Sequence, residues 1–263
     1  MTGTVLVREV LWRASVVLND SAPQFQRWNE RELVDWLNDG QMAITKYLPA
    51  ACSRIDSIKL RPGTLQSIET IAPADCKPGD GSTPSQPIKG IQFLRAICNT
   101  GADGATPGMA VRVVKAEILD SQSPDWHSIA KTVVRSFVYD PLTPRYFHVT
   151  PGAHASTPVW LRVAYIAQPA LIPNTGTTES PLYAREGSSA LPIGISDEYV
   201  DDLVNYIVSR ANMKDVEWAD GNKAQSFAAL FMSSLNAKIA VITGTNPNLQ
   251  QLPFAPTPLA QAK

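Results

Sequence analysis

The hydrophobic period of this chain changes twice. It runs at the 3.6-residue repeat of a helix, switches to the 2-residue alternation of strands, and then returns to the helical repeat. A stripe of one period cannot be buried by a backbone of the other. The chain must therefore combine helices from both ends with a sheet from its middle. Near residues 4–18, Val7, Val10, Leu11, Ala14, Val17 and Leu18 fall three or four apart on one helical face. Asn19, Asp20, Ser21 and Pro23 stop that helix. Asn29 then offers an N-cap with Glu32 three residues on, and Trp28 and Leu33 stand at staple positions. Leu33, Trp36, Leu37, Gly40, Ile44 and Leu48 continue one stripe as far as Pro49.

After Cys52 the pattern is that of strands. Segments 53–60, 64–71, 91–98, 110–119, 132–139, 145–150 and 158–167 are short, rich in β-branched or aromatic residues, and often alternating. Arg61-Pro62-Gly63-Thr64 suits a type II turn. Asp140-Pro141-Leu142-Thr143-Pro144 reads as the loop of a hairpin with arms Phe137–Tyr139 and Tyr146–Val149. Val159, Leu161, Val163 and Tyr165 share one strand face. Residues 76–87 and 99–108 are Gly/Pro/Ser/Thr-rich loops, and an irregular stretch with Pro173, Pro181 and Pro192 follows.

Ser196 reopens the helical pattern, with Asp197 and Glu198 in the positive first turn. Val200, Leu203, Val204, Ile207 and Ala211 form one stripe. After a turn at Asp220-Gly221, a second stripe comprises Ala224, Phe227, Ala228, Phe231, Leu235, Ile239 and Ile242, closed by Gly244. The expected fold class is α+β: a helical bundle built from N-terminal and C-terminal helix pairs, with an inserted antiparallel β-sheet or sandwich and an extended C-terminal arm. The expected segments are 1–52 (N-terminal helices), 53–169 (β-rich insert), 170–195 (irregular connection), 196–244 (helix hairpin) and 245–263 (Pro-rich tail).

The composition is that of an ordinary globular protein, with 44% hydrophobic and 18% charged residues. Twenty-three Lys and Arg against 24 Asp and Glu give a net charge of −1, without the basic excess of a dedicated nucleic-acid binder. No apolar run is read as approaching the ~20 residues of a membrane helix, so no membrane partner is expected. The N-terminal residues Arg8, Glu9 and Arg13 suit an amphipathic helix rather than a secretory signal, which points to a cytoplasm. Cys52, Cys76 and Cys98 are too widely spaced for a metal motif and are expected as reduced thiols.

Enzymatic constellations are sparse. His148 and His154, six apart across Pro151-Gly152, match no metal motif, and His127 follows Asp125-Trp126 in a loop. The run Gly101–Gly108 lacks the Lys and following helix of a phosphate loop. There is no GxSxG elbow. Asp201-Asp202 is accounted for by the helix dipole. No catalytic residue, cofactor or metal site is therefore expected. Trp28 and Trp36 fit the second helix, and Trp160 and Trp218 suit local packing. Trp12 and Trp126 are the two aromatics left for a subunit contact.

Several stretches resemble the head-to-tail adaptor proteins of tailed bacteriophages. Trp28 to Gln41 is similar to that family's second helix, and Pro62-Gly63-Thr64-Leu65-Gln66 to a turn that follows it. Ile118-Leu119-Asp120 with Pro124-Asp125-Trp126-His127, Asp140 to Pro151, and Tyr199 to Asp215 followed by Ala224 to Leu235 also match, in order. The resemblance implies a non-enzymatic virion protein of the neck, assembled in the host bacterial cytoplasm. It implies a homo-oligomeric ring, commonly of twelve subunits, between the portal protein and a tail or nozzle protein. Such a ring continues the DNA channel without sequence-specific DNA binding. Ring formation suits the extended arm, whose Leu249, Leu252, Pro253 and Phe254 are expected to dock on the portal or a neighbouring subunit. Another phage tail or baseplate structural protein, or a cell-wall hydrolase, remains an alternative.

Overall fold

The computed structural model describes residues 3–20, 27–79, 81, 84, 86–174, 191–214, 217 and 219–245. They fall into two compact units, one of residues 49–170 and one of the remaining described residues on either side.

The helical unit begins with α1 (Val7–Val17), which buries Val7, Val10, Leu11 and Ala14, the stripe written at three- and four-residue spacing. Val17, assigned to the same face, is exposed. In α2 (Glu30–Tyr47) the Asn29 side chain accepts from the Arg31 amide at 3.0 Å, as an N-cap should. Trp28 and Leu33 are buried on either side of that start. After α3 (Ala116–Gln122) of the other unit come α4 (Val200–Asn212) and α5 (Gly221–Thr245). α4 is the hub of this unit: α1, α2 and α5 each pack against it. Gly40 makes one of these approaches possible, because a Cβ there would lie 3.0 Å from Tyr206 and 3.2 Å from Leu203.

Polar side chains fasten the irregular segments. Asn38 exchanges two hydrogen bonds with the backbone of Ile172, at 3.0 and 2.9 Å. Gln41 accepts from the Gly194 amide at 2.6 Å. The Asp197 carboxylate accepts from the amides of Thr4 (2.7 Å) and Val5 (2.9 Å) and from the Thr4 hydroxyl. These bonds, the hydroxyl's first, hold Asp197 below the usual carboxylate range.

The second unit holds two sheets. In the first, β3 (Cys76–Pro78), β1 (Ser53–Lys59), β10 (Trp160–Ala167), β4 (Gly90–Thr100) and β5 (Pro107–Ala110) pair in that order, all antiparallel. In the second, β2 (Gly63–Ser67), β9 (Tyr146–Ala153), β8 (Ser136–Tyr139) and β6 (Arg112–Val113) pair in that order, and β7 (Ala130–Lys131) also pairs with β9. The β6–β8 and β7–β9 pairs are parallel. The sheets close on one core. Phe93 of β4 stacks on Phe147 of β9 with ring centroids 4.1 Å apart and meets Phe137 of β8 edge-on at 5.5 Å. β10 is central in its sheet and buried along most of its length, so its sequence reads as nearly continuous apolar residues. Beside it, Asp56 of β1 is buried yet satisfied: it accepts from the Tyr165 hydroxyl at 2.7 Å and from Arg54 Nε at 3.0 Å. Burial first, and the Asp56 carboxylate second, push the Tyr165 phenol above its ordinary range.

The expected helical bundle with an inserted antiparallel sheet is not the fold that forms. The described residues build a sheet-rich α+β protein with five α-helices and two five-stranded sheets, the second of mixed direction. Short strands β3 and β5 arise where the sequence reads as loop, because their pairing is supplied by distant partners. The segment 110–119, read as a strand, splits into the two-residue β6 and α3 (Ala116–Gln122). Gly244 does not close its helix, which continues to Thr245. Within the helical unit α5 buries little of its length.

Candidate assembly surface

α5 is the least covered long element. Of its 25 residues, Ala224, Phe231 and Leu235 are buried, whereas Leu230 is 54% and Val241 62% exposed. Phe227, Ala228, Ile239 and Ile242, expected in a buried stripe, are only half-buried. Named side chains tie the helix to α4. Phe231 packs on Tyr206 with ring centroids 5.3 Å apart, the Ser209 hydroxyl donates to the Ala224 carbonyl at 3.1 Å, and Lys238 pairs with the buried Asp202 carboxylate. Lys223 and Lys238 are the helix's only charged residues. Within Gly221–Gly244 an 18-residue stretch reaches a mean hydropathy of 1.4, so the helix is long and apolar enough to cross a membrane by length and composition. This corrects the expectation that no run approaches that length. The missed signal was legible: a surface helix normally carries charge on its outer face, and this one does not.

A second surface lies on the β unit. Met109, Lys131, Thr132, Val133, Arg135 and His154 line one hollow, and Met109 is 59% exposed. Around it, residues 105–133 are mostly exposed.

Among the described residues no group of three His, Cys, Asp or Glu side chains could hold a metal ion. His127 stacks on Trp126 at 3.6 Å, lies 5.8 Å from His148 and hydrogen-bonds Thr64 through Nδ1 at 2.9 Å. Burial first and His127 second lower the pKa of His148, which favours a neutral packed imidazole. Trp126, reserved for a subunit contact, is instead buried, and its indole N–H donates to Asp120 at 2.9 Å. Trp12 is half-buried. All three cysteines are thiols. The proposed tail contacts Leu249, Leu252, Pro253 and Phe254 lie outside the described residues, as do Ser21, Pro23, Pro181 and Trp218.

Among the described residues the features that stand out are uncovered apolar surfaces. The family model of the SU10 adaptor protein matches residues 1–251. The chain belongs to the SU10 adaptor protein family. This SU10 adaptor is accordingly a structural component of a phage virion, and its family role is to contact other head or tail proteins. No curated protein matches the chain. The SU10 adaptor match spans both the helical and the β unit, and it takes in α5 whole.

Proposed function

We propose that this SU10 adaptor forms a closed homo-oligomeric ring, of twelve subunits, between the portal and the tail or nozzle, and that the ring continues the DNA channel. The observation that carries this reading is α5, a 25-residue apolar helix left mostly uncovered in the single chain. Apolar surface on this scale is disfavoured in water and is removed when a neighbouring protein covers it. In a family of virion adaptors, the available covers are further copies of the chain and the head or tail proteins it joins. The near-neutral charge of −1 suits a channel wall that lets DNA pass without gripping it. The tail residues Leu249, Leu252, Pro253 and Phe254 then serve as an arm that docks on the portal or on the next subunit.

Electron microscopy of the purified chain, alone and mixed with its portal protein, tests this. Closed rings that cap the portal are the expected result. A chain that stays monomeric and leaves the portal bare overturns the reading.

A further inference from the structure

We propose that the tail of one copy, residues 246–263, lies along the uncovered apolar flank of α5 in the next copy. This rests on the ring reading above and names both the segment that is given and the surface that takes it.

The exposed side of α5 is not uniform. One flank carries Phe227, Leu230, Ser234, Ala237, Val241 and Gly244, whose spacing of three and four residues lines them up along one edge of the helix. Leu230, Ala237, Val241 and Gly244 are exposed, and Phe227 and Ser234 are half-buried. The polar groups gather on the other flank, where Gln225, Asn236 and Thr243 are exposed. Between the large side chains of Leu230 and Val241 stand the small ones of Ser234 and Ala237, so the apolar edge has a shallow depression with a bulky group at each end. Lys238 is the one charged residue from Phe227 to Gly244, and it is taken up by the buried Asp202 carboxylate.

The residues that follow α5 match this flank in chemistry and in length. The helix ends at Thr245, and residues 246–262 carry no charge at all. Ion pairs or phosphates would find nothing to hold on either surface, whereas an apolar strip covers the flank without stranding a charge. Pro247, Pro253, Pro256 and Pro258 favour extended backbone at and before their own positions, which lowers the ordering cost of docking. At about 3.1 Å per residue the apolar run Leu249–Phe254 spans about 16 Å. At about 1.5 Å per residue Leu230 and Val241 are also about 16 Å apart. The whole tail extends about 56 Å at that rise, against about 38 Å for α5, so it can run the length of the helix. That reach would also serve the tail's own α5, but a contact within one chain joins no copies. Given to the neighbour, the tail and the flank are two different surfaces, and every copy supplies one and receives the other. This is a heterologous contact, the kind that closes into a ring.

Cross-linking in the full-length protein tests the arrangement. The variant A237C/A255C, with C98S to remove the half-buried native thiol, is assembled and treated with a short bis-maleimide, and each single-cysteine variant serves as control. A ladder of dimers and higher multimers that neither control gives is the expected result. A cross-link confined to single chains overturns the proposal, because the tail then lies on its own helix. Rings without any cross-link overturn it while the ring reading stands. Independently, L230E/V241E and a chain ending at Thr245 should each raise the concentration needed for assembly on the order of tenfold or more, read by sedimentation velocity, with folding checked by circular dichroism. The combination should be no worse than either alone, since both remove one contact. Losses that add, or rings formed by the shortened chain at the wild-type concentration, also overturn the proposal. A wild type that never assembles removes the ring reading itself, and this contact with it.

Discussion

Lys238 is one of two cations on α5, and its ammonium meets an Asp202 carboxylate that is almost fully enclosed. Lys238 also donates to the Glu198 carbonyl at 2.7 Å. An enclosed carboxylate is tolerable only while its partner is present. Lys238→Met keeps the length of the side chain and removes the charge, leaving Asp202 without that partner. The expected cost is about 2–3 kcal/mol in denaturant unfolding, with Asp202→Asn in the same background recovering part of it. Little of this was visible in the residue pattern. Asp202 reads as a first-turn acid stabilising the helix dipole, and nothing nearby in sequence announces a lysine 36 positions later. Trp126 makes the same point. An aromatic in a polar loop looks available for a partner, yet Asp120 and His127 have taken it up.

At the scale of elements, local signals were read well where they are self-contained. The start of α2 carries its own cap, and the β8–β9 hairpin forms from the two arms expected, with Tyr139 opposite Phe147. Gly63 adopts φ 98°, as the Pro-Gly turn demands. Short strands paired with remote partners were missed, because β3 and β5 owe their existence to β1 and β4 rather than to their own residues. Gly40, read in sequence as one member of the α2 stripe, lies where an added Cβ would crowd Tyr206 and Leu203 of α4. Gly40→Val should push the helices apart. A loss of about 1–3 kcal/mol, seen as a lowered melting temperature, is expected, whereas a variant as stable as wild type would mean that Tyr206 and Leu203 yield freely.

For the whole molecule, the decisive quantity is surface left uncovered. α5 and the patch beside β6 together present apolar groups that the single chain does not bury, and membership of the SU10 adaptor family supplies a setting of neighbouring virion proteins. The tail tests whether attachment and folding separate. A chain ending at Thr245 loses Leu249, Leu252, Pro253 and Phe254. It should melt as the full chain does and fail to co-sediment with the portal protein; normal co-sedimentation would show that attachment lies elsewhere.

The sequence by itself determined the ends of α2, the inward residues Val7, Val10, Leu11 and Ala14 of α1 and the β8–β9 hairpin, since each depends on residues a few positions apart. Tertiary structure alone decided the order of strands in each sheet, the parallel pairs, the loss of a helical bundle and the exposed flank of α5. Those outcomes depend on contacts such as Ser53 with Ile166, or Lys238 with Asp202, whose partners no local pattern can select. Burial is also competitive: a stripe written along a helix is covered only as far as its neighbours extend, and α4, at 13 residues, is about half the length of the 25-residue α5 that packs against it.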